Sequence, residues 1–257
     1  MKTLVFLLLS IASLAVFGQN GREWIERFED QMKISDQQVA LTMQLVSKNG
    51  TVRERKLQWS TMENSNGLES SYIVFNAPAD IAGTAFLSVE SSNGAEDQWL
   101  YLPALKRSRR ISSGEKSSSF MGSDFSYSDI GNESTDNSSY NLLETVKENG
   151  KELKVIEATY KEQSKIKETG YAKRVIYIDA ANSMMVKTDF FDVNGKPVKQ
   201  LVCSDFKTIA GSNKVRAHRY EMKNLAKGTS TVLLFSNYQI DKGIDPNIFT
   251  IRNMERN

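Results

Sequence analysis

The sequence predicts a mainly β protein with a few helices (α+β), built on one largely antiparallel sheet. Three observations predict it. After a first helix, apolar residues recur with a period of two through most of the chain. Asn-Gly pairs at 49–50, 93–94, 149–150 and 194–195 interrupt that alternation as hairpin turns. Most connections are of hairpin length, which antiparallel neighbours can use and parallel ones cannot. A sheet of about ten strands must then curl or close on itself.

The elements follow in chain order. Residues 1–18 (MKTLVFLLLSIASLAVFG) place Lys2 before an apolar run, with small residues at Val16 and Gly18. This reads as a secretory signal peptide cut after Gly18. The run of about 14 residues is shorter than the ~20 that a spanning helix needs. The mature chain, 19–257, is expected to be a single domain, because no Pro-, Gly- or Ser-rich linker divides it. Arg22 to Met32 carries Trp24, Ile25, Phe28 and Met32 at helical spacing, one amphipathic helix. Strands are expected around 39–45, 51–62, 70–76, 84–90 and 97–102. A second set is expected at 140–148, 152–161, 172–179, 184–193, 197–208, 213–223 and 229–238.

Residues 103–139 break the pattern. They begin basic, turn Ser-rich around Phe120, Met121, Phe125 and Tyr127, and end acidic. A stretch this long without strand periodicity is a functional or mobile loop. It reads as a flap over the concave side of the sheet, with a short helix gathering part of its apolar set onto one face.

Composition limits the chemistry. The 257 residues are 40% hydrophobic, 9% aromatic and 25% charged, an ordinary globular balance. One Cys and one His exclude an intrachain disulfide framework and a Cys/His zinc cluster. A formal charge of +2 argues against nucleic acid as a partner. His218 and Cys203 both lie in strand patterns, and no nucleophile elbow, phosphate loop or zinc-protease motif appears. No catalytic residue, metal site or cofactor is expected.

Two groups are candidates for binding. The aromatic and flap residues Trp59, Phe75, Phe86, Trp99, Tyr101, Phe120, Met121 and Phe125 are candidate liners of a cavity between sheet and flap, against a reading as plain core. Lys106, Arg107, Arg109 and Arg110 form the densest basic cluster. It suits a partner's acidic patch or anionic lipid, or equally a solvated strand edge. Arg53 and Arg55 are in phase with Leu57 and Trp59. Facing inward they would meet the flap or a ligand head; facing outward, the preferred reading, they are solvated.

The segment 97–130 resembles the bacterial outer membrane lipoprotein-sorting protein family, longer relatives of the periplasmic lipoprotein carrier LolA. Trp99-Leu100-Tyr101-Leu102-Pro103, the basic Lys106 to Arg110, and Phe120-Met121-Gly122-Ser123-Asp124-Phe125 carry the resemblance. Pro78 with Gly83-Thr84-Ala85-Phe86-Leu87 also fits. The resemblance implies an unclosed, strongly curved antiparallel β-barrel with a helical lid over an apolar cavity. It implies a non-enzymatic periplasmic carrier, a monomer in transient contact with membranes. Its cargo would be lipoprotein acyl chains or another lipid. Its partners would be an inner-membrane RND-type permease or an outer-membrane acceptor. The alternative is an adaptor subunit of an RND-type envelope lipid export complex.

Overall fold

In the computed structural model, residues 21–92 and 95–256 are described. The expected leader and the Asn93-Gly94 turn lie outside them. The chain opens with helix α1 (Gly21–Met32). Six strands follow: β1 (Asp36–Val46), β2 (Val52–Glu63), β3 (Glu69–Ala77), β4 (Ala85–Glu90), β5 (Glu96–Leu102) and β6 (Arg107–Ile111). The one-turn helix α2 (Tyr127–Ile130) lies in the long connection. Then come β7 (Ser138–Glu148), β8 (Lys151–Tyr160), α3 (Gln163–Thr169), β9 (Lys173–Asp179), β10 (Met184–Phe191) and β11 (Pro197–Thr208). The chain finishes with β12 (Val215–Asn224), β13 (Thr229–Ile240) and α4 (Ile251–Met254).

The 13 strands form one sheet in the order β6-β5-β4-β3-β2-β1-β13-β12-β11-β10-β9-β8-β7. It consists of two meanders joined where the first strand pairs antiparallel with the last, from Gln37↔Ile240 to Val46↔Ser230. The free edges, β6 and β7, are consecutive in sequence but lie at opposite ends of the sheet. The sheet is therefore curled and unclosed, and residues 112–137 bridge the two edges. This is why the one long connection interrupts a chain of hairpins.

The turns show the chemistry that the Asn-Gly pairs predict. At Asn149-Gly150 both residues have positive φ, 50° and 77°, the two-residue turn whose twist matches the strands. At Asn49-Gly50 only the glycine does, with φ 85°, and Gly50 N–H donates to Ser47 O at 2.9 Å.

Helix α1 packs its stripe on the inner face of the second meander. Ile25 is buried against Ile156, Ala158, Ile176 and Ile178, with Trp24 and Phe28 alongside. The first turn crosses β7 so closely that a Cβ on Gly21 would stand 2.9 Å from the backbone of Asn141. At the other end, the fully buried Arg216 donates to Gln31 O and Met32 O at 3.0 and 2.7 Å. A cation on the final carbonyls of a helix is favoured by the helix dipole.

The structure adds elements that the sequence pattern does not announce. Strand β6 reads RSRRI, with a single apolar residue, so no period-two apolar signal exists. Helices α3 and α4 are too short to show a stripe. The flap tip is not a helix that aligns its aromatics. Phe120 N–H donates to Phe125 O at 2.8 Å, Ser119 bridges Ser126, and Met121 and Gly122 turn the chain at φ 48° and 74°. A tight reversal, rather than helical spacing, brings Phe120 and Phe125 together.

Candidate functional site

The concave face is graded along the strands. On β2 to β5 one end is apolar, with Leu57, Phe75, Phe86 and Leu100 buried. The next rung is small and polar, with Ser71, Ser88 and Gln98 all buried. The flap closes the apolar end. Phe120 is completely buried and meets Phe75, Phe86 and Tyr127 at ring separations of 6.0, 5.3 and 5.5 Å. Two contacts tie the flap's tip down. Arg55 Nη1 donates to Met121 O at 2.5 Å. The Asp124 carboxylate accepts from Thr229 Oγ1 at 2.6 Å and Thr231 Oγ1 at 3.0 Å, both on β13.

Beside the flap lies an inner chamber of about 250 Å³. Its apolar wall includes Ile25 and Phe28 of α1, Phe125 of the flap, Phe190, Leu201 and Met222. Its floor is polar. Arg174 Nη1 donates to Glu133 Oε2 at 2.9 Å, and Tyr160 OH donates to the same oxygen at 2.9 Å. Lys199 Nζ and Tyr171 OH both donate to Asp129 at 3.0 Å. Burial, and then the nearby Asp129 charge, push the Tyr171 phenol well above its usual range. It stays a neutral donor. The floor therefore contains two cation–carboxylate pairs, with Glu29 of α1 beside them. A larger outer space of about 920 Å³ adjoins the chamber, with Phe28, Glu29, Asp129, Glu133 and Met185 lining both.

The candidate residues fall into three sets. Phe125 lines the inner chamber. Phe75, Phe86 and Phe120 form the packed core next to it, with Met121 and Trp59 at its margin. Trp59 Nε1 donates to Ser71 Oγ at 2.7 Å. Trp99 and Tyr101 are on the other face of the sheet, which corrects their assignment to the cavity. They pack with Leu87, Phe249 and Met254 beneath the C-terminal segment. Alternation sends Leu100 inward and its two neighbours outward. The run Trp99 to Leu102 is apolar on both faces, so its pattern could not choose between them.

The basic cluster occupies edge strand β6 and the turn before it. Arg109 pairs with Glu115 at 2.7 Å and Arg110 with Asp97, while Lys106 and Arg107 are exposed. Arg55 faces inward, contrary to the preferred solvated reading, because the flap supplies a carbonyl acceptor there; Arg53 is exposed. The inner chamber's polar floor was missed. One signal for it existed: Arg174 shares the inward phase of Ile176 and Ile178, where a lone cation needs a buried partner.

Elsewhere the chemistry is quiet. Burial pushes the Cys203 thiol up to about 12, so it stays protonated. His218 lies against Tyr238, with Nδ1 3.1 Å from Arg216 O. Among the described residues no cluster of three or more His, Cys, Asp or Glu is arranged to hold a metal. Among them, too, no helix is long and apolar enough to cross a membrane.

Comparison with known proteins agrees with this architecture. A family model described as an uncharacterized protein matches residues 67–256. No curated protein matches the chain. Among solved structures, an outer membrane lipoprotein-sorting protein domain from Vibrio parahaemolyticus is 32% identical, with a TM-score of 0.84 over 92% of this chain and 98% of that one. A DUF1329 family protein from Desulfovibrio piger is 28% identical, with a TM-score of 0.84 over 91% and 97%. A LolA superfamily protein from Nitrosomonas europaea shares the fold at 20% identity, with a TM-score of 0.71 over 90% and 97%. With its unclosed 13-stranded sheet and flap-covered interior, the chain belongs to the outer membrane lipoprotein-sorting protein family.

Proposed function

We propose that the protein is a non-enzymatic carrier. It holds acyl chains of lipoproteins or other lipids in the inner chamber and shuttles them across the periplasm toward the outer membrane. The observation that carries this reading is the chamber itself: about 250 Å³, walled by Ile25, Phe28, Phe125, Phe190, Leu201 and Met222, and joined to a larger outer space. The lipoprotein-sorting relative supports the cargo class. The apolar leader pattern of residues 1–18 supports export to the periplasm.

The energetics suit reversible carriage. Each CH₂ buried in an apolar site gains roughly 0.8 kcal/mol, about what a bilayer offers it. Cargo can thus move between the two without covalent chemistry, and the flap would set when. The two ties of its tip, at Arg55–Met121 and Asp124–Thr229/Thr231, are hydrogen bonds that an incoming chain can break in turn. Phe120 and Phe125 would fill the interior when cargo is absent.

Native mass spectrometry of the full chain purified from periplasm should show a bound lipid. Thr188→Trp places a large ring in the chamber, where Thr188 is 3% exposed, and should abolish the adduct while the protein still melts cooperatively. Lipid retained by that variant, or none in the native protein, would refute the reading. The adaptor alternative draws on Lys106 and Arg107, exposed and without an ion pair among the described residues. It predicts that their charge reversal abolishes partner pull-down and leaves lipid binding intact.

A further inference from the structure

The outer space next to the chamber differs from it in charge. Its acidic wall is built by strand register. Glu63 on β2 stands opposite Glu69 on β3. Glu69 N–H donates to Glu90 Oε2 on β4 at 2.9 Å, and Glu90 stands opposite Glu96 on β5. Four neighbouring strands thus put a glutamate on the same inward rung, beyond the small polar rung of Ser71, Ser88 and Gln98. Like charges directly opposite one another in a sheet are destabilising. A fold that keeps such a rung over four strands bears a cost that packing does not explain.

Compensation is incomplete. Lys116 pairs with Glu96 at 3.1 Å, but Glu63, Glu69 and Glu90 have no ion pair among the described residues. Glu29 and Asp30 of α1 line the same space with Lys33 and Lys165, the latter held by Glu168 at 3.4 Å, and the Arg22 charge also reaches Glu29. Asp129 and Glu133, at the boundary with the chamber, are already matched by Lys199 and Arg174. Burial, followed by the Glu90 charge, lifts Glu69 to about 7, as expected where one more negative charge is resisted.

We infer that this glutamate rung selects cargo by charge, favouring acyl chains with an amine or other cation near the head over the same chains ending in carboxylate or phosphate. The inference rests on the carrier reading, since it takes the tail to lie in the inner chamber and the head in the outer space. A cationic head gives a counter-charge to the carboxylates of the rung that have no ion pair among the described residues, Glu69 having the Asn132 side chain beside it. An anionic head adds a further like charge beside the rung. An uncharged head falls between them.

The test is displacement of a fluorescent, uncharged acyl probe from the full chain at pH 8 and low salt, using dodecylamine, dodecanol and laurate below their micelle concentrations. At that pH the amine and the carboxylate are charged and Glu69 is ionised. The amine should displace the probe at a concentration at least tenfold lower than laurate, with dodecanol between. The gap should shrink with added salt. The variant Glu63→Gln, Glu69→Gln, Glu90→Gln relieves repulsion and should fold. It should bring the three competitors together while keeping its affinity for dodecanol; Glu63→Gln alone should narrow the gap. Equal displacement by amine and laurate, with the probe bound, would overturn the inference and leave the carrier reading standing. A protein that binds neither probe nor competitors would overturn the carrier reading itself.

Discussion

Asp124 anchors the flap tip to β13. Its carboxylate accepts two threonine hydroxyls of β13, and its N–H donates to Thr231 Oγ1 at 2.9 Å. Hydrogen bonds to a charged group are worth about 1.5–3 kcal/mol. Asp124→Ala should therefore raise hydrogen exchange across residues 118–127 and quicken lipid release. Exchange unchanged from the native protein would show that the aromatic plug alone holds the flap. Glu69 gives a pH signature of its own. Its folded pKa is raised to about 7, above the unfolded value of 4.5, mainly by burial. Below pH 4.5 both states are protonated and nothing is lost. As pH rises toward 7 the unfolded state releases its proton first, so stability falls across that window. Glu69→Gln should melt like the native protein near pH 4.5 and at a higher temperature at pH 8. A lower melting temperature for the variant at pH 8 would show that the carboxylate is favourably bound there.

At the scale of the elements, strand existence was legible and face assignment was only partly so. Asn149-Gly150 and Asn194-Gly195 marked real turns because left-handed backbone favours the residues that adopt it there, Asn149, Gly150 and Gly195. Strand β6 was legible only as a basic stretch read equally as a strand edge, because an edge strand pairs on one side only and need not alternate. Trp99 and Tyr101 were placed on the wrong face because Phe249 and Met254 cover the outer surface there, and nothing local in the run Trp99 to Leu102 reports a contact so far along the chain. The chamber floor was hidden for the same reason: Asp129, Lys199 and Tyr171 come from three distant segments. The two open edges are protected differently. Strand β6 carries arginines. Strand β7 has a bulge between Leu142 and Glu144, which leaves Leu143 half exposed. Both devices discourage edge-to-edge association. Replacing Arg107 and Arg109 with Val should produce concentration-dependent light scattering with little change in melting temperature. A variant that stays monodisperse would show that the neighbouring flap and C-terminal segment already shield this edge.

On the scale of the whole molecule, the sheet has two working faces. The concave one holds the chamber. The outer face of β3 to β5 is covered by the segment after β13, where Phe249 and Met254 cover Tyr72, Leu87 and Tyr101, and Glu255 accepts from Ser108 N–H at 2.9 Å. A chain ending at Lys242 should expose that apolar surface, bind a hydrophobic dye and lose solubility. Retained solubility without dye binding would mean that the outer face closes without its cover.

The unclosed sheet also makes the polypeptide divisible. Its two meanders, β1 to β6 and β7 to β13, meet at the β1–β13 seam, and the chain passes between them only through residues 112–137. A protease cut in that bridge would sever no strand. The halves should stay together as a nicked heterodimer and be able to reassemble from separately made pieces. Co-elution of the two fragments on gel filtration after limited digestion would show it. The bridge proposed to gate the cargo would then be dispensable as a covalent link.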